Sequence, residues 1–347
     1  MVTEVLYTDN EVVARETIQR AVSMLHAGEV VALPTETVYG LGADALDPAA
    51  VEKIFAAKER PHFDPLIIHL PRKHAFRDVC DITPEYDKVI IPIIEHFWPG
   101  PLTLLLPKKA IIPDIVTAGL PTVGVRMCDH PVFKRIAKSF DRPIAAPSAN
   151  LFGKLSPTST DAVLEQLDGR IPAIIDGGAC ARGLESTIIR VSPGKPKTLI
   201  EIVRPGPITA EDLKQFGKVS FADRNQDVED LAPEAPGQLA AHYAPTTPIQ
   251  MLESPEDFQP EDGKRYGLLS YRGQAKDGYI QKHDWDEIRV LSPGSGRLAE
   301  AGIRFFHSIR DLDQSGLDRI LVEPIPERGV GMAMREKLKK AQFGTAE

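Results

Sequence analysis

The sequence predicts an α/β protein in two parts: a larger N-terminal domain on a mixed, largely buried sheet, and a smaller α/β domain after it. Three observations carry this. Helical and strand patterns interleave through the first two hundred residues, as in folds that cover a sheet with helices. The pattern breaks between about 218 and 246, where Pro, Gly and Asp are scattered without periodicity. Regularity then returns to the end of the chain. The expected division is a catalytic-sized domain over 1–217, a linker over 218–246 and a second domain over 247–347.

The elements follow in order. EVVARETIQRAVSMLHAG (11–28) has apolar residues at helical spacing and closes on Gly28, so it predicts a helix. VVALP follows as a strand. DPAAVEKIFAAKER (47–60) has Asp47 placed to cap and Pro48 in the first turn, so a second helix is expected, stopped by the proline after Arg60. PLIIHL, LTLLLP, TVGVRM, PIAAPS, PAIIDGG, STIIRVS and KTLIEIVRPG read as short strands, and ITAEDLKQFG (208–217) as a helix. Beyond the linker, TPIQML, YGLLSY, EIRVLS and RILVEP read as strands, with helices over RLAEAGIRFFHSIRDLD and VGMAMREKLKKAQ. No internal repeat or low-complexity tract interrupts them.

A length of 347 residues suits two domains, and 42% hydrophobic with 26% charged residues is ordinary for a soluble core. No apolar run approaches the roughly 20 residues that cross a bilayer, and MVTEVLYTDNE is acidic where a signal peptide is basic. The expectation is a cytoplasmic protein. Cys80, Cys128 and Cys180 lie far apart without C-x-x-C spacing and read as structural thiols. A net charge of −8 argues against a binder of the nucleic-acid backbone, which needs a basic surface. A small anionic substrate in a locally basic cleft stays compatible with it.

PTETVYGLGADA (34–45) contains Gly40, Gly42 and Ala45 in the G-x-G-x-x-A pattern of a dinucleotide turn. That turn requires its glycines between a strand and an immediately following helix. Here several residues separate Leu33 from Gly40, and the helix begins only near Pro48, so the glycines are misplaced for a pyrophosphate. No G-x-x-x-x-G-K-[ST] occurs either. The loop reads as a substrate loop, with Tyr39 as a wall and two glycines admitting a close backbone approach.

PTETVYGLGADA, AAKERP, PLIIHL, WPGPLTLLL, TVGVRM, APSAN, LESTII and RPG, in this order and spacing, resemble the YrdC/Sua5 family of threonylcarbamoyl-AMP synthases. APGQLAAHYAP in the linker and the second domain resemble the longer, Sua5-type members, so the likeness covers essentially the whole chain. The resemblance implies a twisted mixed sheet with an open cleft and a Rossmann-like C-terminal domain. It implies an enzyme that joins L-threonine, bicarbonate and ATP into threonylcarbamoyl-adenylate and pyrophosphate. The product would pass to separate proteins that modify tRNAs reading codons that start with A, with direct tRNA binding weak or absent.

Adenylation needs charge neutralised on a triphosphate and a carboxylate oxygen aimed at the α-phosphorus. By resemblance, Lys58 and Arg60 of KERP, with Ser148 and Asn150 of APSAN, form the catalytic set. They are expected to project into the cleft and hold phosphates. Ser156, Thr122, Arg204 and Tyr243 are assigned to ATP in the same way, Tyr243 sitting in a linker that would serve as a lid. Arg126 is implied as the clamp on the threonine carboxylate, with Thr35, Ser186 and the backbone at Ala146 nearby. A histidine inside an apolar strand is ordinarily structural, yet the family places His69 beside threonine, as a ligand rather than a base. Mg²⁺ would travel between triphosphate oxygens, with no protein ligand to name. Two departures stand out: Asp64, facing the nucleotide where relatives often carry Asn or His, and Leu239, Ala240 and Ala241 in place of larger or basic residues.

An RNA-binding translation module is the rival from another class, and the acidic balance counts against it. A carbamoyl transferase of the hydrogenase-maturation type would need zinc-finger segments that the cysteine spacing does not supply. The second domain carries no motif with a stated chemistry.

Overall fold

The computed structural model describes residues 2–194, 197–222, 233–239 and 241–345. The expected linker falls partly outside them, at 223–232 and at Ala240. The chain divides into two compact units, one of Met1–Phe152, Pro157–Ala181 and Glu185–Gln238, the other of Gly153–Ser156, Arg182–Leu184 and Leu239–Glu347. No helix among the described residues is long and apolar enough to cross a membrane.

In the first unit the elements run β1 (Glu4–Leu6), α1 (Glu11–His26), β2 (Val31–Leu33), β3 (Gly40–Asp44), α2 (Pro48–Lys58), β4 (Ile67–His69) and α3 (Pro84–Phe97). They continue as β5 (Leu102–Pro107), β6 (Thr122–Arg126), α4 (Pro131–Phe140), β7 (Ile144–Ala145), α5 (Thr160–Leu167), β8 (Ala173–Ile175), β9 (Thr187–Ser192), β10 (Leu199–Arg204) and β11 (Lys218–Phe221). The strands form one 11-stranded mixed sheet in the order β1-β8-β2-β3-β7-β4-β6-β5-β9-β10-β11.

The helix ends follow from their caps. Asn10 accepts from the amides of Val12 and Val13, and Asp47 from that of Ala49, so α1 and α2 begin where the sequence places them. The end of α2 differs from expectation. It stops at Glu59, a non-glycine residue in the left-handed region at φ 54°, before Pro61 acts. The Arg60 amide reaches back to the Phe55 carbonyl, which closes the helix in Schellman fashion. The helix expected over 208–217 is a single turn, Ala210–Leu213, capped reciprocally by Thr209 and Asp212. Lys218–Phe221, expected to open the linker, lies instead as a parallel edge strand along β10.

Alternation along the strands divides the sheet into two faces. Ile68, Leu102, Leu104, Leu106, Val123, Val125, Ile189 and Ile202 point to one face and join the main core with residues of α2, α3 and α5. On the opposite face, α1 and α4 cover only one half, over β1, β8, β2, β3 and β7, through Ile18, Leu25, Phe133 and Ile136.

Two glycines expected in a loop sit in β3. A Cβ on Gly42 would lie 2.9 Å from Leu33 Cδ1 and 3.1 Å from Ile144 Cγ2, and one on Gly40 would lie 3.2 Å from Ala146 Cβ. The close approach seen in the structure is to β2 and to residues 144–147.

The second unit carries a four-stranded sheet of β12 (Ile249–Met251), β13 (Tyr266–Ser270), β14 (Glu287–Val290) and β15 (Arg319–Val322) in the order β12-β15-β13-β14, every pairing parallel. Helices α6 (Leu298–Asp313) and α7 (Val330–Gly344) pack on it.

Gly42→Ala should destabilise the protein by about 1–3 kcal/mol through overpacking between β2 and β7, read as a lower denaturation midpoint with an unchanged slope.

Candidate active site

Over β4, β6, β5, β9 and β10 the second face of the sheet has a different floor. Ile67, Leu105, Ile188 and Val203 form a small apolar cluster with Ala235, and no residue of the helices named above belongs to it. Register carries polar side chains onto the same face: His69 pairs with Arg126, Ile67 with Gly124, and Thr103 with Ile188. A shift in the β9–β10 register between Ile202 and Arg204 turns Arg204 toward this face, opposite Ile188. Bulges re-aim side chains in this way beside functional sites.

Residues 34–39 cross from β2 to β3 as an ordered turn. Thr35 Oγ1 accepts from the amides of Thr37 and Val38 at 3.0 and 3.2 Å and lies 2.8 Å from Thr37 Oγ1. Arg126 donates from Nη1 to Thr37 Oγ1 at 3.1 Å, and from Nη2 it pairs with Glu36. The other Glu36 oxygen accepts from the Cys128 thiol and the Asp129 amide. Both charged side chains are buried. A guanidinium has five N–H donors and these bonds use two, while Nε is buried without a partner. Arg126 therefore keeps donors for a ligand carboxylate although Glu36 already holds it. His69 lies against Phe133, its buried Nδ1 lacks a partner, and it bonds the backbone at Ala146. Burial, then the Arg126 charge, hold its pKa well below the ordinary histidine value, so it is a neutral hydrogen-bonding group.

The turn at 146–150 is tied to the same loop: Gly40 pairs with Ser148, and the amides of Leu41 and Ala149 bond the carbonyls of Pro147 and Tyr39. Lys58 completes it. Its ammonium donates to the carbonyls of Ser148 at 2.7 Å and Asn150 at 2.5 Å, while its own carbonyl accepts from the Phe152 amide. Lys58 and Arg60 do not project freely, since both are buried. Arg60 bonds the carbonyls of Asp64 and Pro65 and pairs with the Asp64 carboxylate at 2.9 Å. The acid expected to face a nucleotide thus faces Arg60. Burial first, then Arg60, push the Lys58 ammonium well below the ordinary lysine range, and Asp64 acts in the other sense.

Arg204 donates from Nε and Nη2 to the Ser186 carbonyl, and from Nη2 to the Ser186 hydroxyl at 3.1 Å; that hydroxyl is 2.8 Å from Thr103 Oγ1. The two predicted residues are joined directly. Thr122 shares the face of Arg126 at the other end of β6, half-buried. Ser156 and Tyr243 belong to the second unit. There the Arg310 guanidinium meets the Ser156 carbonyl, and the Tyr243 ring lies by His242 and Phe306 with the Lys337 ammonium 5.0 Å from its centre.

Tyr39, expected as a wall, is a core residue of the opposite face whose hydroxyl bonds the Gly178 carbonyl at 2.8 Å; burial pushes its pKa up to about 12. The three thiols are free and buried, Cys80 and Cys180 pushed up to about 12 by burial, which leaves them protonated and poorly nucleophilic. Glu36, Thr37 and Cys128 were given no binding or catalytic role from sequence. The available signal was a carboxylate between two threonines after an apolar strand, which implies a buried cation nearby. No group of His, Cys, Asp and Glu that could hold a metal occurs among the described residues.

Residues 23–206 match a family described as "Telomere recombination" (Sua5, YciO, YrdC), and residues 208–342 one described as "Threonylcarbamoyl-AMP synthase, C-terminal domain". A threonylcarbamoyl-AMP synthase of Bacillus subtilis is 40% identical over 94% of this chain and 93% of its own length. One from Pyrococcus abyssi is 37% identical over 93% of each. A crystal structure of the Pyrococcus abyssi Sua5 protein with L-threonine superposes with a TM-score of 0.83 at 34% identity, covering 99% of this chain and 98% of that one.

Glu36→Ala would leave the buried Arg126 charge unpaired and should cost about 3–5 kcal/mol of stability, measured by urea unfolding. Glu36→Gln, which keeps an acceptor, should cost less.

Proposed function

The chain belongs to the Sua5/YciO/YrdC family in its two-domain form, and from that premise we propose that it is an L-threonylcarbamoyladenylate synthase. It takes L-threonine, bicarbonate or CO₂, and ATP, and releases pyrophosphate. The observation that carries the reading is the Lys58 ammonium clamped on the turn that bears Ser148 and Asn150, within one unit that also holds Arg126 and His69.

In this reading the threonine carboxylate takes the remaining Arg126 donors, while neutral His69 and the Thr35 turn receive its polar groups. The threonine amine and bicarbonate form a carbamate with loss of water. A carbamate oxygen then attacks the α-phosphorus, and the bond to the β-phosphate oxygen breaks. Lys58 and Arg60 offset the negative charge, with Arg204 and Thr122 on the nucleotide side. No residue is assigned as the general base. Mg²⁺ enters with the triphosphate, which fits a site rich in cations and hydroxyls. The adenylate is then used by a separate transferase acting on tRNA in the cytoplasm.

Protein incubated with ATP, L-threonine, bicarbonate and Mg²⁺ should release pyrophosphate only when threonine is present, and a chelator of divalent cations should stop it. Pyrophosphate release without dependence on threonine overturns the reading. Arg126→Ala should chiefly raise the KM for threonine, and Lys58→Ala should lower kcat by roughly a hundred- to a thousandfold. The lowered Lys58 pKa has a further consequence. Between the folded value and the free-lysine value the site binds fewer protons than the unfolded chain, and a phosphate beside Lys58 restores the proton. Nucleotide binding should therefore take up protons at alkaline pH, its affinity falling as pH rises. Calorimetry in buffers of different ionisation enthalpy measures this, and Lys58→Arg should abolish it.

A further inference from the structure

The second unit has a cavity of about 330 Å³ lined by Tyr271, Arg272, Asp277, Tyr279, Glu323 and two prolines. Its place follows from topology. Tyr271 and Arg272 leave the carboxyl end of β13, and Glu323 leaves that of β15, its neighbour in the sheet. From β13 the chain proceeds to β14 on one side; from β15 it proceeds through α7, which packs on β12 at the other edge. Connections that part in opposite directions open a crevice between the two strand ends, where parallel sheets bind ligands.

The chemistry of the lining is specific. Glu323 is buried, 5% exposed, and its Oε2 accepts from the Ser270 hydroxyl and the Tyr271 amide at 3.1 Å. No described residue donates to its Oε1. Burial, above all, raises its pKa; Asp277 adds to the rise and Arg272 opposes it. The Arg272 guanidinium lies by the Tyr271 ring, 5.5 Å from its centre, with a buried Nε that has no partner. Neither Arg272 nor Asp277 forms an ion pair among the described residues, whereas Arg265, Arg289 and Arg304 of the same unit all do. The tyrosine hydroxyls are committed, Tyr271 to the Gly296 carbonyl and Tyr279 to that of Glu253, so their rings serve as walls.

We propose that this cavity binds a small zwitterion of the α-amino-acid type, its ammonium against Glu323 and Asp277 and its carboxylate against Arg272. Two carboxylates and one guanidinium, none paired with another, complement a ligand with both charges. A nucleotide fits less well: the glycine-rich turn before α6 is already occupied by a carboxylate, Glu300, which accepts from the hydroxyls of Ser292 and Ser295 at 2.9 Å each. A phosphate there would meet like charge.

Full-length protein is titrated calorimetrically with the proteinogenic α-amino acids other than threonine, with the corresponding decarboxylated amines and deaminated acids, and with AMP. At least one amino acid should bind one-to-one, at least tenfold tighter than its amine or acid. Arg272→Ala and Glu323→Gln should each weaken it tenfold or more, with Arg272→Lys intermediate and threonine-dependent pyrophosphate release intact in all three variants without the probe. Failure of every amino acid to bind, equal binding of the bare amine, tighter binding of AMP, or amino-acid binding that survives both variants would each overturn the proposal.

Discussion

The first unit depends on a constraint of the pleat: neighbouring residues of a regular strand point to opposite faces. Eleven strands in one sheet therefore produce two continuous surfaces, and the protein treats them differently. One carries the main apolar core under α2, α3 and α5, and the other is covered by α1 and α4 over half its width. The remaining half carries His69, Thr103, Arg126 and Arg204 above a thin apolar floor. A patch of polar and cationic side chains results without any strand leaving the sheet. The irregularity in β10 breaks this alternation, because it turns Val203 and Arg204 together toward the floor after Ile202 has faced the core.

Charges set into such a surface are costly unless held. Lys58, Arg60, Arg126 and Arg204 are all buried, and each is fixed by protein oxygens. The pairs Arg60–Asp64 and Arg126–Glu36 contribute little net stability by the usual balance of desolvation against attraction. Their effect is positional: a guanidinium already fixed in place loses little rotamer freedom when an anion arrives. Lys58 goes further, because its ammonium shapes the backbone of the turn that would receive phosphate.

Much of the fold was legible in the sequence. The strands of LTLLLP, TVGVRM and STIIRVS, and the capped starts of α1 and α2, have local signals of periodicity and capping. The failures were also physical. GLGAD has the composition of a loop, yet its glycines are strand positions demanded by the side chains of adjacent strands, a reason invisible locally. Glu59 ends α2 in a conformation usually left to glycine, so the proline two residues later misled. For the site, motif order named the candidate residues, whereas their orientation came only from three dimensions. Lys58 and Arg60 were expected to project into a cleft, and instead both are held on backbone carbonyls, a burial that leaves no trace in sequence.

The pairing of β1 with β8 has a consequence for how the molecule is made. Glu4–Leu6 find their partners at Ala173–Ile175, and the Thr3 hydroxyl bonds the carbonyl of Ile171. A ribosome adding about 5–20 residues per second must therefore extrude most of this unit before its first strand can be placed. The sheet cannot form strictly in order from the amino terminus. Until β8 emerges, β2 lacks its parallel neighbour, and its apolar edge is open to association with other nascent chains.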